Sequence, residues 1–346
     1  MRVLPVDGSR STEMKSLVIG LGSMGKRRIR NLQFLKAGEI IGYDPRADRR
    51  EEARVRYGIQ TFSDFDQAMG TDPDALIIST PPELHMQYAR VAAQHRKHFF
   101  TEASVVDDGM DELIALCDGK GIVAAPSCTM RFHPSIRVIK DLIESGTIGS
   151  ILAFTYHSGQ YLPDWHPWED YRSFYVAKRE TGACREIVPF ELGWLTWVLD
   201  ELETVSCLKG KLTTLGVDID DAYQVLLKFK RGALGHMLVD VISRVPYRTC
   251  RFISERGVIE WVSSERRVRM FKADEGKWKE YLEPEGILEK GYVAAENMYI
   301  DEMKCFRDAV HGGPEFPYSF AEDKKILSLL RAADISAEQE VHVRVL

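Results

Sequence analysis

Residues 17–25 read Leu-Val-Ile-Gly-Leu-Gly-Ser-Met-Gly, an apolar run followed by three glycines in the spacing G-x-G-x-x-G, and the basic stretch Lys26-Arg27-Arg28 comes next. Strand, glycine turn and helix in that order form a βαβ unit whose turn receives the pyrophosphate of a dinucleotide. Gly20 permits the tight turn, Gly22 lets backbone N–H groups approach the phosphates, and Gly25 lets the helix close on the strand. A second apolar run, Ile40 to Tyr43, ends in Asp44. That is about twenty residues downstream, where a carboxylate meets the adenosine ribose. Together the two features favour a coenzyme turn over an ordinary strand-turn-helix with no ligand.

Working outward, strand-like runs alternate with helical patterns from Met14 to about Met130, which predicts a doubly wound parallel sheet of α/β class. Its strands are expected at Leu17–Ile19, Ile40–Tyr43, Ala75–Ser79, His98–Thr101 and Ile122–Ala125. A helix over Glu83–Gln94 follows Pro81-Pro82, and Ser63 or Asp64 caps a short segment running to Met69. After Pro134 and a helix over Ser135–Glu144, strands come too close together for crossovers, which predicts a large, mostly antiparallel open sheet. Helices are expected over Glu186–Leu199, Ala294–Val310 and Phe320–Gln339, with Pro189 kinking the first of these or delaying its start. The expected domains are 14–130 and 131–346, with the last helix free to pack back on the first domain.

The formal charge of −6 on 346 residues is spread through mixed clusters, with no basic stripe to bind nucleic acid, so a small polar ligand suits the chain better. Six cysteines, at 117, 128, 184, 207, 250 and 305, show no C-x-x-C pair and no zinc-like spacing with histidine. They read as reduced thiols of a cytoplasmic protein without a metal site. No apolar run approaches the roughly 18 residues of a membrane span, and the first dozen residues lack the apolar core of a secretory signal. They read as a polar extension, with the fold able to begin at Met14.

The ordered motifs Gly20 to Gly25, Ile77-Ile78-Ser79-Thr80-Pro81-Pro82-Glu83-Leu84-His85, Arg131-Phe132-His133-Pro134, Gly146-Thr147-Ile148-Gly149, Tyr161 to Arg172 and Ser319 to Asp323 span nearly the whole chain. In this order they resemble the glucose-fructose oxidoreductase and inositol dehydrogenase (Gfo/Idh/MocA) family of nicotinamide-dependent enzymes. The resemblance implies a Rossmann domain, a C-terminal α/β domain whose open sheet makes oligomer contacts in a homodimer or homotetramer, and an active site in the cleft between the domains. It places Gly20, Gly22, Ser23, Met24 and Gly25 on the pyrophosphate, Asp44 on the ribose, and Thr80, Pro81 and His85 beside the nicotinamide half. NAD is the favoured coenzyme. Arg46 and Arg49 leave NADP open, because a guanidinium near the ribose accommodates a 2′-phosphate; the other reading is a solvated helix start.

Two departures from the family pattern bear on chemistry. Where the family carries Glu-Lys-Pro, this chain has Glu102-Ala103-Ser104, so the lysine role is vacant while Glu102 is expected to help hold the coenzyme. Where the family has an aspartate, a histidine four residues later and a further aspartate, this chain has Glu186, Phe190 and Gly193. Oxidation of an alcohol needs a base for the hydroxyl proton, worth roughly 10² to 10⁴ in rate. Replacement groups are Glu186, Arg185 and His133, with Glu191 one turn on; the alternative is that these residues only tie the helix to its neighbours. Tyr161, Trp165, His166 and Tyr171 crowd one loop with rings and polar tips suited to a sugar. The expected function is hydride transfer between NAD(P) and a sugar, sugar nucleotide or polyol with nonstandard acid-base residues. Two rivals stand beside it: a nucleotide-binding sensor without catalysis, and an enzyme that uses a retained NAD for transient oxidation in an elimination, epimerisation or glycoside cleavage.

Overall fold

The computed structural model describes residues 13–165, 169–289 and 295–345, which divide into two compact units. The first takes residues up to 102, then 109–127 and 299–320. It contains β1 (Ser16–Ile19), α1 (Ser23–Phe34), β2 (Ile40–Tyr43), α2 (Ala47–Tyr57), β3 (Gln60–Phe62), α3 (Phe65–Met69), β4 (Ala75–Ile78), α4 (His85–Gln94), β5 (His98–Thr101), α5 (Met110–Cys117) and β6 (Ala124–Pro126). The six strands are parallel, in the order β3-β2-β1-β4-β5-β6. Every residue of β1 and β4 is buried, as befits strands covered on both faces. Strand order reverses between β1 and β4, so their C-terminal ends open a crevice at the position where such sheets bind ligands.

The second unit takes residues 103–108, 128–298 and 321–346, described within the bounds above. It contains α6 (Pro134–Glu144), β7 (Ile151–Gly159), α7 (Ala183–Val198), β8 (Leu202–Gly210), β9 (Ala222–Phe229), β10 (Leu234–Asp240), β11 (Tyr247–Ser254), β12 (Gly257–Val262), β13 (Arg267–Lys272) and β14 (Lys277–Leu282). The chain ends with α8 (Asn297–Val310), α9 (Phe320–Gln339) and β15 (Val343–Arg344). The nine strands run β14-β13-β12-β11-β7-β10-β9-β8-β15, antiparallel at every contact except the parallel pair β7 and β10. One face is covered by α7, where Trp194 meets Tyr156 and Trp261 edge-on. On the other, Leu208, Leu226, Leu234 and Ile253 are exposed.

The units interleave more than two continuous ranges allow. Met303 and Phe306 of α8 are fully buried in the core of the first unit with Val18, Ile29, Ile77 and Phe100. Thus α8 packs on the Rossmann unit, whereas α9 belongs to the second unit from Ala321 onward. The prediction for α7 also needs correction. It begins at Ala183, three residues before the expected start, and runs through Pro189. Burial of Val188, Pro189 and Leu192 offsets the backbone hydrogen bond that the proline removes. Ala183 itself takes φ 43°, a left-handed conformation costing a non-glycine residue about 1 to 2 kcal/mol. Strain of this kind gathers at functional sites, and here it sits just ahead of Arg185 and Glu186.

An ion cluster crosses the first unit. Arg28 of α1 is fully buried, donating from Nε and Nη2 to both Glu102 carboxylate oxygens at 2.7 and 2.8 Å and from Nη2 to Glu302 at 2.9 Å. Burial works against the guanidinium's charge, the two carboxylates outweigh it, and its pKa is raised. Arg28→Met leaves two carboxylates together in the interior and is expected to cost about 3 to 5 kcal/mol in urea unfolding. A loss under about 1 kcal/mol would mean that the pairing is not what holds them.

Candidate functional site

The turn from β1 into α1 is shaped by backbone packing. A Cβ on Gly25 would overlap the carbonyl oxygen of Gly20, and one on Gly20, whose φ is 86°, would lie 2.6 Å from the carbonyl oxygen of Ser79. Gly22 differs: its hypothetical Cβ meets only the Arg49 guanidinium, at 3.4 Å. Gly22 is the N-cap of α1, no side chain caps the helix, and its first turn, Ser23-Met24-Gly25, carries no acid. Opening N–H groups of a helix have no intrahelical partners, and together with the dipole they favour a phosphate. Asp44 is buried at the end of β2, where its Oδ2 accepts the Leu21 N–H and its Oδ1 the Arg46 N–H, both at 2.8 Å. The carboxylate therefore braces the turn that it borders.

Beyond β4, the Thr80 hydroxyl oxygen is buried without a hydrogen-bond partner, an orphan group that a coenzyme amide or ribose can satisfy. The fully buried His85 ring pairs through Nε2 with the Thr80 carbonyl oxygen at 2.9 Å, and burial lowers its pKa. His85 thus fixes the loop of Thr80 and Pro81 through the backbone. Glu102 has both oxygens on Arg28 and accepts from the Ser79 hydroxyl at 3.2 Å, so it ties α1 to the ends of β4 and β5. The guanidinium of Arg46 turns to Asp48, at 3.1 and 2.6 Å.

In the second unit the replacement groups part company. Glu186 accepts from the Tyr175 hydroxyl at 2.9 Å. Arg185 donates to Asp334 at 2.9 Å and to the carbonyl oxygens of Val105 and Glu180, on a cavity of about 510 Å³ also lined by Lys209, Asp220 and Tyr223. Glu191 is fully buried and accepts from the Trp194 indole and Arg248, both at 2.7 Å. One helix thus carries three separate polar contacts instead of one cluster. His133 accepts the Ser135 N–H at 3.2 Å as the cap of α6 and packs its ring edge-on to Trp261. Burial, helped by Arg248, lowers its pKa to about 3, so at neutral pH it is an uncharged capping group. Of the loop residues, Tyr161 lies under Arg244, Tyr171 lies under Arg172, and the buried Trp165 indole nitrogen has no partner. His166 falls outside the described residues.

Three of these partners escaped the sequence reading. Tyr175 sits in a loop without periodicity, and Asp334 is 149 residues from Arg185, so no local signal joins either to α7. His157, paired with the buried Asp240 at 2.6 Å, was equally silent. Burial would raise the pKa of Asp240, but hydrogen bonds from His157, Ile242 and Ser243 outweigh it and lower it. Strand alternation puts His157 on the sheet face opposite Tyr156, away from α7, so it does not substitute for the absent helix histidine.

Residues 14–125 match the oxidoreductase family with an NAD-binding Rossmann fold, and residues 136–260 match the GFO/IDH/MocA C-terminal domain. The chain belongs to this family. It is 26% identical to the levoglucosan dehydrogenase of Pseudarthrobacter phenanthrenivorans, covering 85% of this chain and 86% of that one. It is 25% identical to the myo-inositol 2-dehydrogenase of Thermotoga maritima, covering 96% and 98%. Levoglucosan dehydrogenase in complex with NADH shares the fold with a TM-score of 0.83 at 20% identity, over 96% of this chain and 99% of that one. An Agrobacterium radiobacter oxidoreductase in complex with NAD+, L-tartaric acid and magnesium does so at 0.85 and 17%, over 96% and 98%. The match to the NAD-binding Rossmann family establishes NAD(P) as the coenzyme class, and the uncapped helix, the glycine turn and the orphan Thr80 hydroxyl fit it.

Two glycines of this Gfo/Idh/MocA turn separate folding from binding. Gly22→Ala meets only the end of a flexible arginine, so its melting temperature is expected within about 2 °C of wild type while NADH affinity falls at least roughly tenfold. Gly25→Ala drives a methyl group into backbone and is expected to cost about 2 kcal/mol or more. Thermal melts and NADH fluorescence titrations read both; equal effects of the two substitutions on stability would contradict the packing described.

Proposed function

We propose that this chain oxidises or reduces a carbinol of a sugar, sugar nucleotide or polyol, with Glu186 as the proton-transfer group and Tyr175 as its positioning partner. When bound, the nicotinamide supplies the hydride acceptor or donor. The observation that carries the reading is the 2.9 Å bond between the Tyr175 hydroxyl and Glu186, a carboxylate at the strained entry to α7 where the family pattern has an aspartate. Ala103 and Phe190 can neither take nor give a proton, so the task falls to a carboxylate held by a phenol. Hydroxylated rings as substrates are supported by the relatives named for levoglucosan and myo-inositol, and by the orphan indole N–H of Trp165 beside Tyr161 and Tyr171 in one loop. Gly20, Gly22, Ser23, Met24 and Gly25 hold the pyrophosphate in this reading, and Asp44 the ribose.

The same reading includes a homo-oligomer built on the open face of the second sheet. Leu208, Leu226 and Leu234 on adjacent strands, with Ile253 further across, form an exposed apolar set larger than scattered surface leucines require.

Glu186→Gln is expected to lower turnover by roughly 10² to 10⁴ while the coenzyme dissociation constant stays within about threefold, and Tyr175→Phe by roughly tenfold with a shifted pH profile. Unchanged turnover in Glu186→Gln would remove it from the chemistry. Wild-type protein that binds coenzyme but turns over no sugar or polyol would favour a binding protein that has lost catalysis. Product formed without net change in nicotinamide absorbance would favour transient oxidation. Leu226→Glu is expected to shift the protein to a smaller species in sedimentation velocity; an unchanged distribution would place the interface elsewhere.

A further inference from the structure

The cavity beside Arg185 lies wholly within the second unit, and most of its lining is charged. Its cations form a ladder of ion pairs. Arg185 donates to Asp334 at 2.9 Å, Lys209 stands 2.6 Å from Asp334 and 3.5 Å from Asp220, and Arg179 stands 3.2 Å from Asp220 and 2.7 Å from Asp218. Each of these cations is already spent on a carboxylate, and the side chains of Lys209, Asp220 and Asp334 keep only 13 to 14% of their exposure. An anion entering the cavity would have to break a largely buried pair to be held, which is costly. The acids are in surplus, because six carboxylates and three cations line the cavity. Asp107 is matched from outside by Arg331 at 2.7 Å. Asp108, Glu180 and Glu338 are exposed, and among the described residues their carboxylates have neither an ion pair nor a hydrogen bond. They come from three places in the chain: the end of residues 103–108, the turn ahead of α7, and the last turn of α9.

A second, independent feature points into the same space. Tyr223 of β9 is only 1% exposed, lines the cavity, and among the described residues has no hydrogen-bond partner for its hydroxyl. Burial, with Asp334 and Asp220 nearby, pushes its pKa up, so it stays a neutral phenol able to donate or to accept. Buried polar groups are nearly always paired, so this hydroxyl marks a position for a polar group of a ligand. The ligand that suits these groups is cationic, hydrogen-bonding and extended. A metal ion is the poorer fit, because among the described residues no three His, Cys, Asp or Glu side chains are grouped to hold one. Ammonium groups spaced along an aliphatic chain can instead meet carboxylates from separate elements, while an amine N–H donates to the phenol oxygen. The volume, about 510 Å³, falls within the roughly 300–1,000 Å³ of small-molecule sites.

We infer that this cavity is a binding site for a small aliphatic polyamine, held by the carboxylates of Asp108, Glu180 and Glu338 and by the Tyr223 hydroxyl. The inference depends neither on the coenzyme cradle nor on the carbinol chemistry. It is tested by isothermal titration calorimetry of the full-length protein with spermidine, in wild type, Glu180→Gln/Glu338→Gln, Tyr223→Phe and, as a control on α2, Glu51→Gln. Melting curves accompany each titration; the double substitution touches only exposed carboxylates and Tyr223→Phe removes only an unpartnered hydroxyl, so both proteins are expected to fold. One spermidine per chain is expected, with affinity lowered at least roughly tenfold in the double variant, roughly threefold in Tyr223→Phe, and not at all in Glu51→Gln. Added salt should weaken binding, and magnesium chloride at the same ionic strength should weaken it no more than sodium chloride does. No heat of binding at millimolar spermidine, several equivalent spermidines per chain, or displacement by magnesium beyond the salt effect overturns the inference. So does an unchanged affinity in folded Tyr223→Phe or in the folded double variant.

Discussion

Backbone contact at one bend governs the first unit: the Gly20 carbonyl oxygen occupies the space that a side chain on Gly25 would need, so α1 starts hard against the end of β1. From that contact follow the direction of α1, the outward aim of its opening N–H groups and the position of Arg28 about a turn and a half along. Asp44 braces the bend from β2, and the Ser79 carbonyl oxygen closes on Gly20 from β4, so three adjacent parallel strands converge on it. The bend is thereby held by the chain's own backbone and by Asp44, which keeps the ordering cost of binding small. Arg28 then links α1 to Glu102 on the far side, so that the place where the family has a lysine follows a residue locked by the helix that follows the bend.

What the sequence made legible was whatever is local and periodic. β1, β2, β4 and β5 are apolar runs bounded by turns, and the doubly wound sheet followed from them. β14, Lys-Trp-Lys-Glu-Tyr-Leu, stayed hidden because it is an edge strand largely exposed to solvent and carries charge at three of its six positions. The start of α7 was misjudged because a proline inside a helix weighs heavily in sequence, whereas buried packing around Pro189 offset its cost. The parallel pairing of β7 with β10 lay out of reach too, since close-spaced strands give no sign of which non-neighbours will meet.

For the site, the glycine turn and Asp44 were legible because backbone geometry demands glycine and a carboxylate at fixed intervals. The partners of the proposed acid-base residues were not, because no periodicity or spacing in the sequence marks them. Glu186 was singled out from its place on the helix, yet its Tyr175 partner comes from a loop without periodicity. His133 drew attention as a histidine in a family motif, and the structure spends its ring nitrogen on a helix cap. Arg185 and Glu186, adjacent in sequence, take different partners because neighbouring helix positions point about 100° apart. In the function proposed, Ala103 and Phe190 handle no proton, and the Glu186 carboxylate with the Tyr175 phenol takes that role.

The measurement that bears most directly on the account is a crystal structure of the wild-type protein grown with NADH. The account predicts a diphosphate on the N–H groups of residues 22–25, with the adenosine ribose on Asp44 and the nicotinamide half at Thr80. A coenzyme bound elsewhere, or a turn left without a diphosphate at saturating NADH, would contradict it.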